Sequence, residues 1–249
     1  MKTTKYIMPA IVAACFTISV AFGGYTPTGS SFIEPAGWSV GDSGSTSQTW
    51  DALFVTTGNL PDAGFYTVNP AIATQPTLNV SAPGFTTGSQ NFYSFTGDYP
   101  VFANIYNHGT GGSDGTHVIV QTAATLGGLG DTVLADTLEI VDSNGNPLTG
   151  GANAAALVDG GQIFLGTVNS SFGVSTLQVL IWEFFLPGHT GDFQVKWTEQ
   201  AHSSLDQVRI DSMIAPSAFA PSFAAVPEPA SLTLVGACML GLALKRSRG

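Results

Sequence analysis

Between Gly24 and Ala225 the chain runs through short apolar or alternating stretches, each closed by Gly, Asn, Asp or Pro. The pattern predicts strands at 48–56, 64–68, 91–96, 100–106, 117–123, 132–141, 162–168, 176–186, 193–199 and 206–213. Phe193-Gln-Val-Lys-Trp197 alternates strictly, and so does Val208-Arg-Ile-Asp211. Each predicts one wet face and one buried face, with Val195 and Trp197 inside and Lys196 outside. Asn144-Gly145, inside the run Leu138–Leu148, predicts a hairpin, because that pair suits the positive φ values of a type I′ turn. No stretch sustains a 3.6-residue period with caps, and no internal repeat supports a propeller or a β-helix. The expectation is an all-β fold, a single antiparallel β-sandwich or jelly roll over residues 24–215.

The two ends follow a different pattern. Residues 1–23 place Lys2 and Lys5 before an apolar run that closes on Ala21-Phe22-Gly23, with a cleavage point between Gly23 and Gly24. This reads as a secretory signal peptide. A permanent anchor fits less well, because the run contains Thr17 and Ser19 and ends in small residues. A lipidated Cys15 would leave seven apolar residues stranded beyond it. At the other end, the small, proline-interrupted linker 216–225 leads to Pro227-Glu228-Pro229, then to the apolar run 232–244 and the basic tail Lys245-Arg-Ser-Arg-Gly249. As a helix that run would rise ~20 Å, short of the ~30 Å hydrocarbon core of a bilayer. Its basic flank would stay on the cytoplasmic side.

Charge separates the ends from the body. Only 10% of residues are charged against about 25% in typical domains, yet 44% are apolar, which excludes a disordered chain. Residues 24–226 hold sixteen carboxylates and two cations, Lys196 and Arg209, a net charge of −14. Phosphate backbones are bound through Lys and Arg, so nucleic acid is excluded as a partner. The two cysteines, Cys15 and Cys238, both lie in the terminal segments. The body therefore depends on its core rather than on disulfides, and it is neither a Cys-ligated zinc protein nor a cysteine hydrolase.

Pro227-Glu228-Pro229, the apolar run and the arginine-containing tail together resemble the PEP-CTERM sorting signal over residues 226–249. The resemblance implies recognition by a membrane-embedded processing enzyme of the exosortase type and transient anchoring in the inner membrane. It further implies removal of the tail and delivery to the surface or exterior of a Gram-negative bacterium, in biofilm or extracellular matrix. Gly37-Trp38-Ser-Val-Gly41-Asp42 with Gln48-Thr-Trp50-Asp51, Trp182–Gly188 and His202–Asp211 resemble jelly-roll domains found beside such tails, which are similar to galactose-binding-like modules.

Candidate chemistry in the body is sparse. Gly111-Gly-Ser113-Asp-Gly115 matches the nucleophile pattern of hydrolases, but that elbow needs a following helix. His108, His117, His189 and His202 show no ligand spacing, and no catalytic or metal residue is expected. Asp142-Ser-Asn-Gly-Asn146 places its glycine wrongly for a calcium loop. No cofactor is expected; were calcium bound, Glu34, Asp206 and Asp211 would be its first ligands. Trp38, Trp50, Tyr93, Tyr99 and Tyr106 are the aromatics on which a sugar ring could stack. The expectation is thus a non-catalytic exported surface or matrix protein. A carbohydrate-binding module for extracellular polysaccharide is the alternative, and a serine hydrolase a distant third.

Overall fold

The computed structural model describes residues 32–65, 75–107, 114–126, 132–134, 137–149, 156–170 and 173–222. Among the described residues there are twelve β-strands and no helix. They are β1 (Ser45–Trp50), β2 (Ala63–Phe65), β3 (Thr77–Val80), β4 (Phe85–Thr86), β5 (Phe92–Tyr93) and β6 (Tyr99–Ile105). Then follow β7 (Gly115–Thr125), β8 (Glu139–Asp142), β9 (Ala156–Ser170), β10 (Gly173–Leu186), β11 (Phe193–Glu199) and β12 (Ser204–Ala215). The larger sheet has the order β2-β1-β12-β7-β10-β9, with β5 also on β12 and β4 on β5; the smaller is β3-β6-β11-β8. Every pairing is antiparallel, as the alternating pattern requires.

The sheets meet as a sandwich, and the phase of each strand decides what enters the core. From the small sheet come Leu78, Val80, Tyr99, Val101, Ile105, Ile140, Phe193, Val195 and Trp197. From the large sheet come Trp50, Val118, Val120, Val208 and Ile210. Burial of each Leu, Ile, Val or Phe contributes about 1.5–3 kcal/mol, so this cluster carries the fold.

Val195 and Trp197 are buried as the alternation predicts, and Lys196 is half-buried on the opposite face. Val208-Arg-Ile-Asp211 departs from the expectation, because Arg209 and Asp211 are buried too. The cause is a second layer. Phe32, Ile33 and Trp38 cover the outer face of the large sheet with Phe219, against Ile119, Ala123, Val179 and Ile181. In β7 every residue but the last is consequently buried.

Other boundaries moved for local reasons. Residues 132–134 are not a strand continuous with 139–142 but lie along β11, where Leu134 N donates to Thr198 O (2.9 Å) and Val133 bridges Glu199. Strands β3 and β4 were not predicted. Asn144-Gly145 is not the centre of a type I′ turn, which needs two positive φ values: Gly145 has φ +84° but Asn144 is not positive. Gly145 N donates to Asp142 O (2.9 Å), while the Asp142 carboxylate accepts from the backbone N–H groups of Asn144 and Asn146, both at 2.8 Å. The signal peptide, Gly23, Gly24, Pro227, Glu228, Pro229 and the apolar run 232–244 lie outside the described residues.

Candidate functional site

The two broad outer faces of the sandwich are built differently. On the large sheet, antiparallel register places His117, Ile119 and Gln121 of β7 beside Met213, Asp211 and Arg209 of β12, all pointing away from the core. Glu183 and Ile181 of β10 continue the row. Chain from both ends of the domain is fastened to it. Gln121 Oε1 accepts from Ile33 N (2.8 Å) and its Nε2 donates to Ile33 O (2.9 Å), so one side chain imitates a strand partner. Arg209 Nη1 and Nη2 donate to the two oxygens of Glu34 (2.7 and 2.8 Å), and its Nε donates to Asp211 (3.1 Å).

The C-terminal side is held by an imidazole and a carboxylate, both fully buried. Phe219 N donates to His117 Nδ1 (3.1 Å), which leaves the proton on Nε2 to donate to Glu183 Oε1 (2.6 Å). Glu183 also accepts from Ser222 N (2.7 Å) and Ser222 Oγ (3.0 Å). Ser222 Oγ in turn accepts from Ala36 N (2.9 Å), tying the two ends together. The segment read as a linker is thus part of the sheet's cover as far as Ser222.

Burial sets the electrostatics here. It pushes the Asp211 carboxyl up to about 6, against the opposing pull of Arg209. For Arg209 burial works downward, but the hydrogen bonds and charges of Glu34 and Asp211 outweigh it and raise the group. The hydrogen bond from Arg209 lowers Glu34. On the core side, Glu199 is buried with no cation beside it among the described residues and is pushed up to about 7, although Trp197 Nε1 (2.8 Å) and Ser203 Oγ (3.1 Å) donate to it.

The candidate residues from the sequence scatter. Glu34 and Asp211 do converge, but on the guanidinium of Arg209, while Asp206 lies apart, its carboxyl raised by burial and then by the like charge of Asp51. Among the described residues no three His, Cys, Asp or Glu gather at metal-binding distance. Trp38, Trp50, Tyr93 and Tyr99 are buried, so none offers an open ring face. Tyr93 packs edge-on against Phe95 with centroids 4.8 Å apart, and its hydroxyl meets His202 Nδ1 at 3.1 Å. Tyr106 is half-buried. Ser113 and His108 lie outside the described residues, and Gly115 opens a strand instead of the helix a nucleophile elbow requires. His117, Glu183 and Ser222 come together in the wrong order for a triad, since the serine hydroxyl donates to the carboxylate and not to the imidazole.

Over its two middle strands, β6 and β11, the outer face of the small sheet has no such cover. Register sets Asn79, Phe102, Lys196 and Glu139 in one cross-strand row, and Thr77, Asn104, Gln194 and Val141 in the next. A groove of about 300 Å³ opens there, lined by Pro100, Phe102, Thr137, Gln194, Lys196 and Thr198. Thr137 forms part of its wall, with Thr198 N donating to Thr137 Oγ1 (3.0 Å). Phe102 was missed as a candidate. The signal was present, because in Tyr99–Ile105 it falls in phase with Asn104 rather than with Val101, Ala103 and Ile105.

The described residues end at Ser222, with two residues before a segment of different character. Residues 225–248 match the family model of the PEP-CTERM protein-sorting motif. The PEP-CTERM match includes Pro227, Glu228, Pro229 and the whole apolar run. It implies an exported protein, sorted by a membrane enzyme of the exosortase type to the surface or exterior of a Gram-negative cell. No match was found among curated proteins or among solved structures.

Proposed function

We propose that this chain is a non-catalytic exported protein whose sandwich is displayed at the cell surface or in the extracellular matrix once its tail has been processed. The observation that carries the reading is the PEP-CTERM motif at residues 225–248. The physical logic is a division of labour along the tail. Prolines disfavour helix at and before their own positions, so the sequence Pro227-Glu228-Pro229 favours the extended form that a processing enzyme would grip. Residues 232–244 provide the apolar span and Lys245, Arg246 and Arg248 the cytoplasmic stop. Support for a non-catalytic body comes from the use made of its buried polar groups. His117, Glu183, Gln121 and Arg209 are engaged in holding the domain's own end segments.

The test is to replace Glu228 by Ala in a host that encodes the processing enzyme, then follow intact mass and surface release. Insertion depends on apolarity and basic flank, which the change leaves alone. The variant is expected to insert, keep residues 230–249 and remain cell-bound, whereas wild type loses them. Release at the wild-type rate would refute the reading.

A further inference from the structure

The small sheet's groove contains polar groups that the fold leaves unspent. Gln194 Nε2 donates to Asn104 Oδ1 (2.7 Å) and Asn104 Nδ2 donates to Thr77 Oγ1 (2.9 Å), so these side chains are oriented by one another. Gln194 Oε1 faces no donor, and Lys196 forms no ion pair, among the described residues. Phe102 lies directly across from Lys196 in the register, half-buried and lining the groove. We propose that this groove binds an uncharged, hydroxyl-rich polysaccharide.

Charge selects that ligand class. Glu139 sits across from Lys196 on the other side, so the row is neutral as a whole, while the body around it is strongly acidic. An acidic polymer would meet one cation in the groove, Lys196, offset by Glu139 in the same row, and repulsion from the acidic body around it. Sugar hydroxyls both donate and accept, which suits an ammonium and an amide oxygen that line one groove. The Phe102 ring offers an apolar face for the C–H side of a pyranose, the usual division between aromatic platform and a few fixed polar groups in a ligand cleft. Orientation of the amides before binding lowers the ordering cost.

Affinity electrophoresis tests this on the full, uncleaved chain in a polyoxyethylene detergent, so the outcome is independent of tail processing. Gels contain a soluble β-glucan, a galactan, a mannan, polygalacturonate, or no polymer. Retardation by at least one neutral polymer is expected, with polygalacturonate weaker. Phe102→Ala and Lys196→Met should each weaken retention about tenfold, with mobility in the polymer-free gel and thermal unfolding confirming that the variants are folded. Phe54→Ser, at an exposed position elsewhere, should bind as wild type does. The proposal is overturned if no neutral polymer retards the chain, if polygalacturonate retards it more, or if the groove variants are retained equally.

Discussion

The outer faces of the two sheets are made from the same kind of strand, yet one is roofed and the other is open. The large sheet carries a Glu, a His, a Gln, an Arg and an Asp on its outer face and covers them with residues 32–38 and 216–222. The small sheet carries Thr77, Phe102, Asn104, Gln194 and Lys196 and leaves them half-exposed. The difference teaches that an alternating strand fixes which side chains share a face, not whether that face is wet. Where chain ends return over a sheet, each polar group beneath must find a partner, and here a single guanidinium and a single carboxylate take most of that task.

Removing the charge that holds the roof should have the largest effect. Arg209→Ala leaves Asp211 buried without its cation and frees Glu34, and a loss of about 3–5 kcal/mol is expected in chemical denaturation at pH 7.5. Next comes Glu199, a buried carboxylate on the inner face that never had a cation. Its folded pKa of about 7 exceeds the ordinary 4.5, so the folded state holds more protons than the unfolded chain between those values. Stability should therefore be highest below about 4.5 and fall as pH rises through about 7. Asp211 has the same sign between 3.8 and about 6, and Glu34 the opposite one. Melting curves from pH 4.5 to 8 should show the decline, and Glu199→Gln should flatten it by roughly 3 kcal/mol. A smaller effect follows from Ser222→Ala, which removes the hydroxyl shared between Glu183 and Ala36 N. It should cost about 1 kcal/mol and speed proteolysis between 216 and 222 without altering the core's exchange-protected amides. The smallest belongs to the open face: Asn104→Ala should change stability by no more than about 0.5 kcal/mol, since water replaces the lost partners.

What could be read in the sequence depended on how local its cause was. β11 was legible because Phe193, Val195 and Trp197 respond to one boundary, core against solvent, within seven residues. The sandwich followed from the same rule applied repeatedly. The fate of Arg209 and Asp211 was not legible, because it is decided by Glu34, Ile33 and Ser222, which are remote in sequence. β3 and β4 are too short to establish a period. The aromatic candidates failed for a related reason: apolar bulk in a sandwich is buried by default, so Trp50 and Tyr99 went to the core. Phe102 stands out only once the phase of its own strand is considered. The sorting motif lies at the opposite extreme, since its signature is contiguous and needs no fold to be read.

The pairing of β1 with β12 has a consequence in time. Secretion threads a chain from its N-terminal end, so Ser45 emerges long before Met213, the residue it must face. β12 also lies between β1 and β7, in the middle of the large sheet and not at its edge. A chain that has delivered its first eleven strands still has a gap where that sheet should close, and both neighbours of the gap expose unpaired backbone groups. Assembly of the sheet must wait for residue 215, ten positions before the matched tail begins. A pause that held the chain back at 200 would strand a set of strands that have no complete partner, whereas one at 220 would release a finished sheet.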